Sequence, residues 1–161
     1  MKPKDSELDY KSRNFNRINA AEDKAKQLID CMGVTRKELG FDEKYKNIPT
    51  ERFLKVPTVL RKMPDFIIIS DTQALFLEVK GFNGTLRIKH EDFEVYGFWN
   101  DIMPVRFFAY DFDKGMSVLP DYHELSRDMT LFTTGSYPDN GKSYFEMDWG
   151  YLRGCKRKYE H

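Results

Sequence analysis

The amino-acid sequence predicts a single α/β domain in which helices pack over a β-sheet. Three patterns predict it: an early stretch with apolar residues at helical spacing, two short apolar runs separated by a turn, and a later helical segment that leads into another apolar run. The order helix, strand, strand, helix, strand is typical of an α/β sandwich. A chain of 161 residues has room for one such domain with a core of its own.

The first predicted element is a helix that follows a polar arm at residues 1–16. Asn19 is the expected cap and Gly33 the expected stop. Glu22 borders the apolar stripe of this helix, so we expect its carboxylate to point inward. The stripe itself consists of Ile18, Ala21, Ala25, Leu28, Ile29 and Met32.

The clearest local pattern is a β-hairpin. Residues 66–69 are a β-branched apolar run, residues 70–73 have turn chemistry, and residues 74–80 form a second apolar run. Near-continuous apolar strands indicate burial on both faces of the sheet. Residues 88–99 are expected to form the next helix and residues 105–110 a third strand. The aromatic residues of these two segments are predicted core residues: Phe93, Tyr96, Phe98, Trp99, Phe107, Phe108 and Tyr110.

Three charged residues interrupt the apolar hairpin. Asp65 opens its first strand, and Glu78 and Lys80 lie near the end of its second strand. Residues i and i+2 of a strand share a face, and antiparallel strands bring Asp65 beside Glu78. Two close carboxylates repel each other unless one takes up a proton or a hard divalent cation binds them. The sequence therefore predicts a metal site with Lys80 placed to position water or to neutralise charge on a phosphate.

A plainer interpretation stands beside this one. Asp65 would cap a turn, and Glu78 with Lys80 would form an ordinary ion pair on a solvated face. The apolar residues 75–77 argue against it, because they indicate a central strand in which charges need a reason.

The motif Pro64-Asp65, twelve further residues and Glu78-Val79-Lys80 resembles the signature of the PD-(D/E)XK nuclease superfamily. The resemblance implies a restriction-endonuclease-like core, with a central mixed β-sheet flanked by helices.

The same resemblance implies a role for each matching residue. Asp65, Glu78 and the backbone carbonyl of Val79 would bind Mg²⁺ or Mn²⁺, and Lys80 would be the catalytic lysine. Glu22 would be the acid that a preceding helix contributes to catalysis or to the metal. The likeness covers residues 18–112, which leaves residues 121–161 as a C-terminal extension.

Nucleic-acid contacts are expected on both sides of the motif. Arg61 and Lys62 precede it, and Lys89 and His90 follow it. The resemblance also implies that the helix after the hairpin brings a polar residue to the site, with Lys89, His90 and Asp92 as the candidates.

The formal net charge is zero, but the charge is unevenly spread. Residues 1–62 hold 15 Lys and Arg against 10 Asp and Glu, which is +5, and residues 63–161 hold 11 against 16, which is −5. A basic surface beside an acidic centre suits an enzyme that acts on a polyanion, although chance gives such a split as readily. No apolar run is long enough to span a bilayer, and no export signal begins the chain, so we expect a cytoplasmic protein with two free cysteines.

Together these observations favour a Mg²⁺- or Mn²⁺-dependent endonuclease that hydrolyses DNA, with RNA as a less expected substrate. The small size favours structure-selective cutting of the junction-resolving or repair type, or non-specific cutting, and a homodimer is one expected assembly. A phage-encoded protein in a host cytoplasm is one setting for it. Two alternatives remain open: a nucleic-acid-binding module that keeps the fold but does not cut, and an unrelated protein whose motif is accidental.

Overall fold

The computed structural model describes residues 4–40 and 49–156, with side chains described at 17, 19–40, 49 and 51–155. The helices are α1 (Lys4–Cys31), α2 (Thr50–Phe53), α3 (Thr58–Arg61), α4 (His90–Ile102), α5 (Tyr122–Asp128) and α6 (Trp149–Lys156), with a 3₁₀ turn at Met129–Leu131. The strands are β1 (Thr35–Glu38), β2 (Phe66–Ile69), β3 (Ala74–Phe82), β4 (Thr85–Lys89), β5 (Val105–Asp111), β6 (Met116–Val118), β7 (Thr133–Ser136) and β8 (Ser143–Asp148).

Five of the strands form a mixed sheet in the order β1-β2-β3-β5-β6. The β3–β5 pair is parallel and the other pairs are antiparallel. A second, antiparallel sheet has the order β4-β8-β7. The predicted α/β fold with a central mixed sheet is therefore confirmed, and β3 is its central strand.

The predicted hairpin is present. β2 and β3 pair antiparallel from Phe66 opposite Leu77 to Ile69 opposite Ala74. In the turn, the Ser70 amide donates to the Gln73 carbonyl at 2.9 Å. The local apolar pattern was sufficient to predict this element because both strands and the turn lie within 17 residues of sequence, from 66 to 82.

Helix α1 is longer than predicted, because it begins at Lys4 and not at Asn19. Residues 4–31 contain neither Gly nor Pro, so nothing in the sequence breaks a helix there. The early turns lack an apolar stripe, and periodicity detects only a helix with such a stripe. The predicted arm at 1–16 is thus helical from Lys4 onward, and residues 1–3 lie outside the described part.

The buried face of α1 follows the prediction in part. Ala21 and Ala25 are fully buried and Ile29 is 3% exposed. Met32 is 60% exposed because the helix has already ended at Cys31, and Gly33 follows with a φ of +66°. The side chain of Ile18 lies outside the described residues.

A close approach between α1 and β3 fixes the distance between helix and sheet. A Cβ at Gly81 would lie 2.6 Å from the Phe112 ring and 3.1 Å from the Cβ of Ala21. Because Gly81 has no side chain and Ala21 has only a methyl group, the helix packs directly on the strand beside Lys80. This contact places Glu22, the next residue of the helix, near the end of the hairpin.

The segment at 85–89 is a strand, so the helix predicted at 88–99 begins later, at His90. Leu86 and Ile88 are buried whereas Arg87 between them is exposed, which is the alternation of a half-buried strand. Phe98 is 51% exposed, contrary to its predicted place in the core. The helix buries Phe93, Tyr96 and Trp99, as predicted, and these residues lie at intervals of three.

The C-terminal segment belongs to the same core. β8 pairs with β4, and Phe145, Met147 and Leu152 pack in one buried cluster with Leu86 and Ile88. The described residues of the segment that the sequence suggests as an extension therefore complete the domain.

Cys31 is exposed and Cys155 is buried, and these two cysteines do not form a disulfide bond. In the described ranges, no helix has both the length and the apolar character needed to cross a bilayer.

We expect Ala21→Leu to lower the free energy of unfolding by about 1–3 kcal/mol, because a larger side chain would push α1 away from β3. Thermal unfolding measures this as a fall in Tm of about 2–4 °C per kcal/mol. Ala20→Leu is the matched control, since Ala20 is exposed on the same helix. Equal melting temperatures for the two variants would contradict the close packing.

Candidate active site

Asp65 and Glu78 lie side by side at one end of the hairpin. β2 begins directly after Asp65, and the register that pairs Phe66 with Leu77 brings Asp65 opposite Glu78. The Val79 amide donates to Oδ2 of Asp65 at 2.7 Å. This bond ties the first strand of the motif to the second.

Glu78 is a buried carboxylate on the central strand, with 7% of its surface exposed. Its Oε1 accepts a hydrogen bond from the Tyr96 hydroxyl at 2.5 Å and lies 2.7 Å from Nζ of Lys80. The Lys80 ammonium also lies 5.3 Å from the centre of the Tyr96 ring. Burial excludes the interpretation of Glu78 and Lys80 as a pair on a solvated face.

Tyr96 is a site residue that sequence reasoning missed. The helical aromatic pattern assigns it to the core, and its ring does pack there, edge-on against Phe107 at 5.3 Å between centroids. Only the hydroxyl distinguishes it from its neighbours. A buried tyrosine hydroxyl needs a polar partner, which is the one signal in the sequence that pointed to the site.

Burial and the adjacent charge of Glu78 raise the pKa of Asp65 well above its ordinary value. The Val79 amide and the Lys80 charge oppose the rise, and the charge of Glu22 adds to it. The two carboxylates of the motif therefore repel each other in the folded protein, as the sequence predicts.

Burial by itself would lower the pKa of Lys80, but the charge of Glu78 reverses the effect and raises this pKa well above its ordinary value. The pKa of Tyr96 is likewise raised, first by burial and then by Glu78. Lys80 is thus a cation and Tyr96 a neutral hydrogen-bond donor near neutral pH.

Glu22 lies within electrostatic range of Asp65, because its charge contributes to the raised pKa of that carboxyl. It also contributes to the raised pKa of Lys26 on the same helix. Across the described ranges 4–40 and 49–156, no three His, Cys, Asp and Glu side chains form a group that could hold a metal ion. Glu22 therefore does not complete a three-carboxylate centre with Asp65 and Glu78.

The donor set at the site nevertheless fits a divalent cation. Mg²⁺ in proteins is typically held by one or two carboxylates, with waters and substrate phosphates as the remaining ligands. Asp65 and Glu78 provide two adjacent carboxylates, and a cation between them would relieve the repulsion that raises the pKa of Asp65.

A cleft of about 230 Å³ opens over the two carboxylates, and we call it the carboxylate cleft. Its lining residues are Gly40, Arg61, Lys62, Met63, Asp65, Glu78, Asp92 and Tyr96. Arg61 and Lys62, which the sequence suggests as nucleic-acid contacts, line the cleft from the end of α3. Asp92, one of the three candidates from the following helix, lines it from α4.

Ion pairs hold the rim of this cleft. Nζ of Lys62 lies 2.5 Å from Asp92 and 2.9 Å from Glu91, and Lys142 lies 2.7 Å from Glu91. Hydrogen bonds from Lys142 and Lys62 lower the pKa of Glu91 to about 2. Arg61 donates to the Val56 carbonyl at 2.9 Å.

The two candidates at the start of α4 are not part of the carboxylate cleft. His90 packs on Phe145 with 4.0 Å between ring centroids, and its Nε2 is enclosed without a hydrogen-bond partner in the described structure. His90 as a whole is half-buried, and its contact with nucleic acid stays a prediction. Nζ of Lys89 lies 5.7 Å from the centre of the Tyr137 ring, on the second sheet.

Solved structures share this architecture. A Holliday junction resolvase, Hjc of the archaeal hyperthermophile Archaeoglobus fulgidus, matches with a TM-score of 0.53 and 10% sequence identity over 84% of this chain and 87% of that chain. The chain has the fold of a Holliday junction resolvase. The predicted fold, a central mixed β-sheet flanked by helices, is thereby confirmed.

A nuclease from a fusselovirus also matches, over 95% of each chain, with a TM-score of 0.43 and 13% identity. At that score the second likeness adds nothing to the assignment of the fold. No protein-family model and no curated protein sequence matches the chain.

We expect Asp65→Asn to stabilise the metal-free protein at pH 7, because the amide accepts from Val79 without repelling Glu78. A gain of about 1 kcal/mol would raise Tm by about 2–4 °C. Since the folded-state pKa of Asp65 is raised, stability is lost as pH rises above the ordinary carboxyl value of about 4 towards that raised pKa. The gain should therefore shrink at pH 4, and a variant that melts below the parent at pH 7 in EDTA would contradict the repulsion.

We expect Tyr96→Phe to lower the free energy of unfolding by about 1–3 kcal/mol, because it leaves the buried Glu78 carboxylate with one hydrogen bond fewer. The ring keeps its packing, so the loss reports on the hydroxyl alone. Tyr110→Phe removes a hydroxyl from β5 and is the matched control. Urea unfolding in EDTA measures both variants, and identical midpoints would show that the hydroxyl does not support Glu78.

Proposed function

We propose that the chain is a divalent-metal-dependent endonuclease that hydrolyses phosphodiester bonds in DNA. The observation that carries the proposal is the meeting of Asp65, Glu78 and Lys80 where the pairing of β2 with the central strand β3 ends, beside an open cleft. The fold shared with a protein described as a Holliday junction resolvase supports DNA as the substrate. A junction-resolving or repair role is the finer part of the proposal, with non-specific cutting as its alternative.

The protein's own residues would divide the work. Asp65 and Glu78, with the Val79 carbonyl, would hold Mg²⁺ or Mn²⁺. The chemistry supplied by such an ion is polarisation of the scissile phosphate and activation of a coordinated water. Glu22, near Asp65 and outside a three-carboxylate group, would orient water at the edge of the site.

Lys80 would act as a fixed positive charge. Its raised pKa keeps the ammonium protonated near neutral pH, so it does not take a proton from water in this arrangement. It would instead stabilise the negative charge that develops on the phosphate. Tyr96 would hold Glu78 in place by its 2.5 Å hydrogen bond and leave the second carboxylate oxygen for the metal.

DNA would reach the site past Arg61 and Lys62. Both line the carboxylate cleft, and Lys62 is held at its rim by Asp92 and Glu91. A phosphate group would compete with those two carboxylates for the lysine. A homodimer, which would present two sites to a junction, stays a prediction.

We expect Lys80→Ala to cut DNA at least about 100-fold more slowly than the parent, as expected when a group that stabilises transition-state charge is removed. The assay compares a four-way junction, a linear duplex, a nicked duplex, single-stranded DNA and RNA, each with Mg²⁺, Mn²⁺ or EDTA. Lys37→Ala is the matched control, since Lys37 is exposed on the edge strand β1.

Three outcomes of this assay have distinct meanings. Metal-dependent cutting that Lys80→Ala loses and Lys37→Ala keeps supports the proposal, and the preferred substrate defines the specificity. Binding of DNA without cutting under any condition supports the silent binding module. If the protein does not bind DNA and Mg²⁺ does not change its Tm, the motif is accidental.

A further inference from the structure

A second cleft lies on the other side of Lys80. It has a volume of about 510 Å³, and we call it the basic cleft. Its lining residues are Arg17, Lys80, Gly81, Phe82, Asn83, Thr85, Leu86, Arg87, Phe112 and Tyr137. The volume is in the range of small-molecule binding sites, roughly 300–1,000 Å³.

The basic cleft has the opposite electrostatic character to the carboxylate cleft. Arg17, Lys80 and Arg87 are cationic, and none of the described residues that line it is acidic. Arg87 pairs with Glu146 at 2.7 Å, yet 48% of its side chain stays exposed. The carboxylate cleft holds three acids, Asp65, Glu78 and Asp92, beside two cations, Arg61 and Lys62, so the basic cleft is the more favourable surface for a polyanion.

The ring of Tyr137 lines the basic cleft and packs against Tyr144 behind it, and we call this pair the aromatic platform. The rings of Tyr137 and Tyr144 lie 4.7 Å apart, and the Arg87 guanidinium lies 4.8 Å from the centre of the Tyr144 ring. Gly135 of β7 lies opposite Tyr144 of β8, and a Cβ at Gly135 would lie 2.5 Å from the Tyr144 hydroxyl. The glycine therefore leaves room for the tyrosine ring. The platform is thus held by a glycine opposite a tyrosine and by a stacked arginine.

Cations beside an aromatic platform are the features that bind single-stranded nucleic acid. Phosphates pair with the cations, and exposed bases stack on the rings. A paired base inside a duplex has both faces covered by its neighbours, so only an unpaired base can stack in such a cleft. The structure therefore favours a ligand with an unpaired nucleotide.

We propose that the basic cleft binds an unpaired nucleotide of the cut strand, next to the phosphate that lies over Asp65 and Glu78. This inference rests on the proposed nuclease function. Lys80 connects the two clefts, because its side chain lines the basic cleft while its Nζ contacts Glu78 at 2.7 Å. The enzyme would select DNA whose strand is unpaired beside the cut.

The test compares cleavage of a blunt duplex with cleavage of the same duplex carrying a single-stranded flap. We expect the parent to prefer the flap, and Tyr137→Ala to reduce that preference by about 5- to 150-fold, the range for loss of one stacked base. Tyr137→Phe keeps the ring and should keep most of the preference. Lys37→Gln, far from the cleft on β1, should leave it unchanged.

Arg17 provides a second variant that does not depend on the platform. It is exposed on α1, so Arg17→Gln is expected to fold normally. We expect this variant to bind the flap DNA less tightly. A plot of the logarithm of the binding constant against the logarithm of the salt concentration should have a slope shallower by about one, as expected for one lost phosphate contact.

The outcomes separate this inference from the proposed function. The basic-cleft proposal is overturned if both variants still cut DNA, Tyr137→Ala keeps the flap preference of the parent and Arg17→Gln keeps its salt dependence. That result leaves the nuclease proposal intact. If the parent cuts nothing, the nuclease proposal fails, and fluorescence anisotropy with a labelled single-stranded oligonucleotide in EDTA tests the cleft. The cleft proposal is supported if the parent binds the oligonucleotide more tightly than the corresponding duplex and Tyr137→Ala loses this difference. It is overturned if the parent and Tyr137→Ala bind the oligonucleotide equally.

Discussion

The burial of one charged side chain, Glu78, is the constraint on which the rest of the structure depends. An ionised carboxylate on the central strand of a sheet costs several kcal/mol unless hydrogen bonds and an opposite charge compensate it. Tyr96 and Lys80 supply that compensation at 2.5 and 2.7 Å. Helix α4 must therefore cross the sheet where the Tyr96 hydroxyl reaches Glu78, and the same helix then brings Asp92 to the mouth of the cleft.

These contacts compensate the charge of Glu78 but not that of its neighbour Asp65. The Tyr96 hydroxyl and Lys80 satisfy Glu78, whereas Asp65 keeps a raised pKa because of burial and the charge beside it. Repulsion between the two carboxylates lowers the stability of the folded protein, and the cation of the proposed function would relieve it. The close packing of Ala21 on Gly81 adds to the repulsion, since it brings Glu22 into range of Asp65.

The sequence was sufficient to predict those parts of the fold and site that depend on neighbours in the chain. The hairpin, and with it the pairing of Asp65 with Glu78, follows from two apolar runs and a turn. Residues that depend on distant partners could not be predicted in this way. β4 finds its partner in β8, with Arg87 opposite Glu146, and no local pattern reports a pairing across so many residues. Tyr96 has the periodicity of a core residue, and only the three-dimensional structure shows what its hydroxyl contacts.

The distant pairing also explains why the site has two sides of different character. β3 carries Glu78 and Lys80 and continues to Phe82, and the chain then turns through Gly84, with a φ of +73°, into β4. The strand that carries Glu78 and Lys80 is thus continuous with the sheet that carries Arg87 and, through β7, leads to Tyr137. The two strands β3 and β4, joined by the short turn at Gly84, therefore connect the proposed chemistry to the proposed recognition. A substrate strand that spans both clefts would be held on either side of Lys80, so the position of an unpaired nucleotide would determine which phosphate lies over the carboxylates.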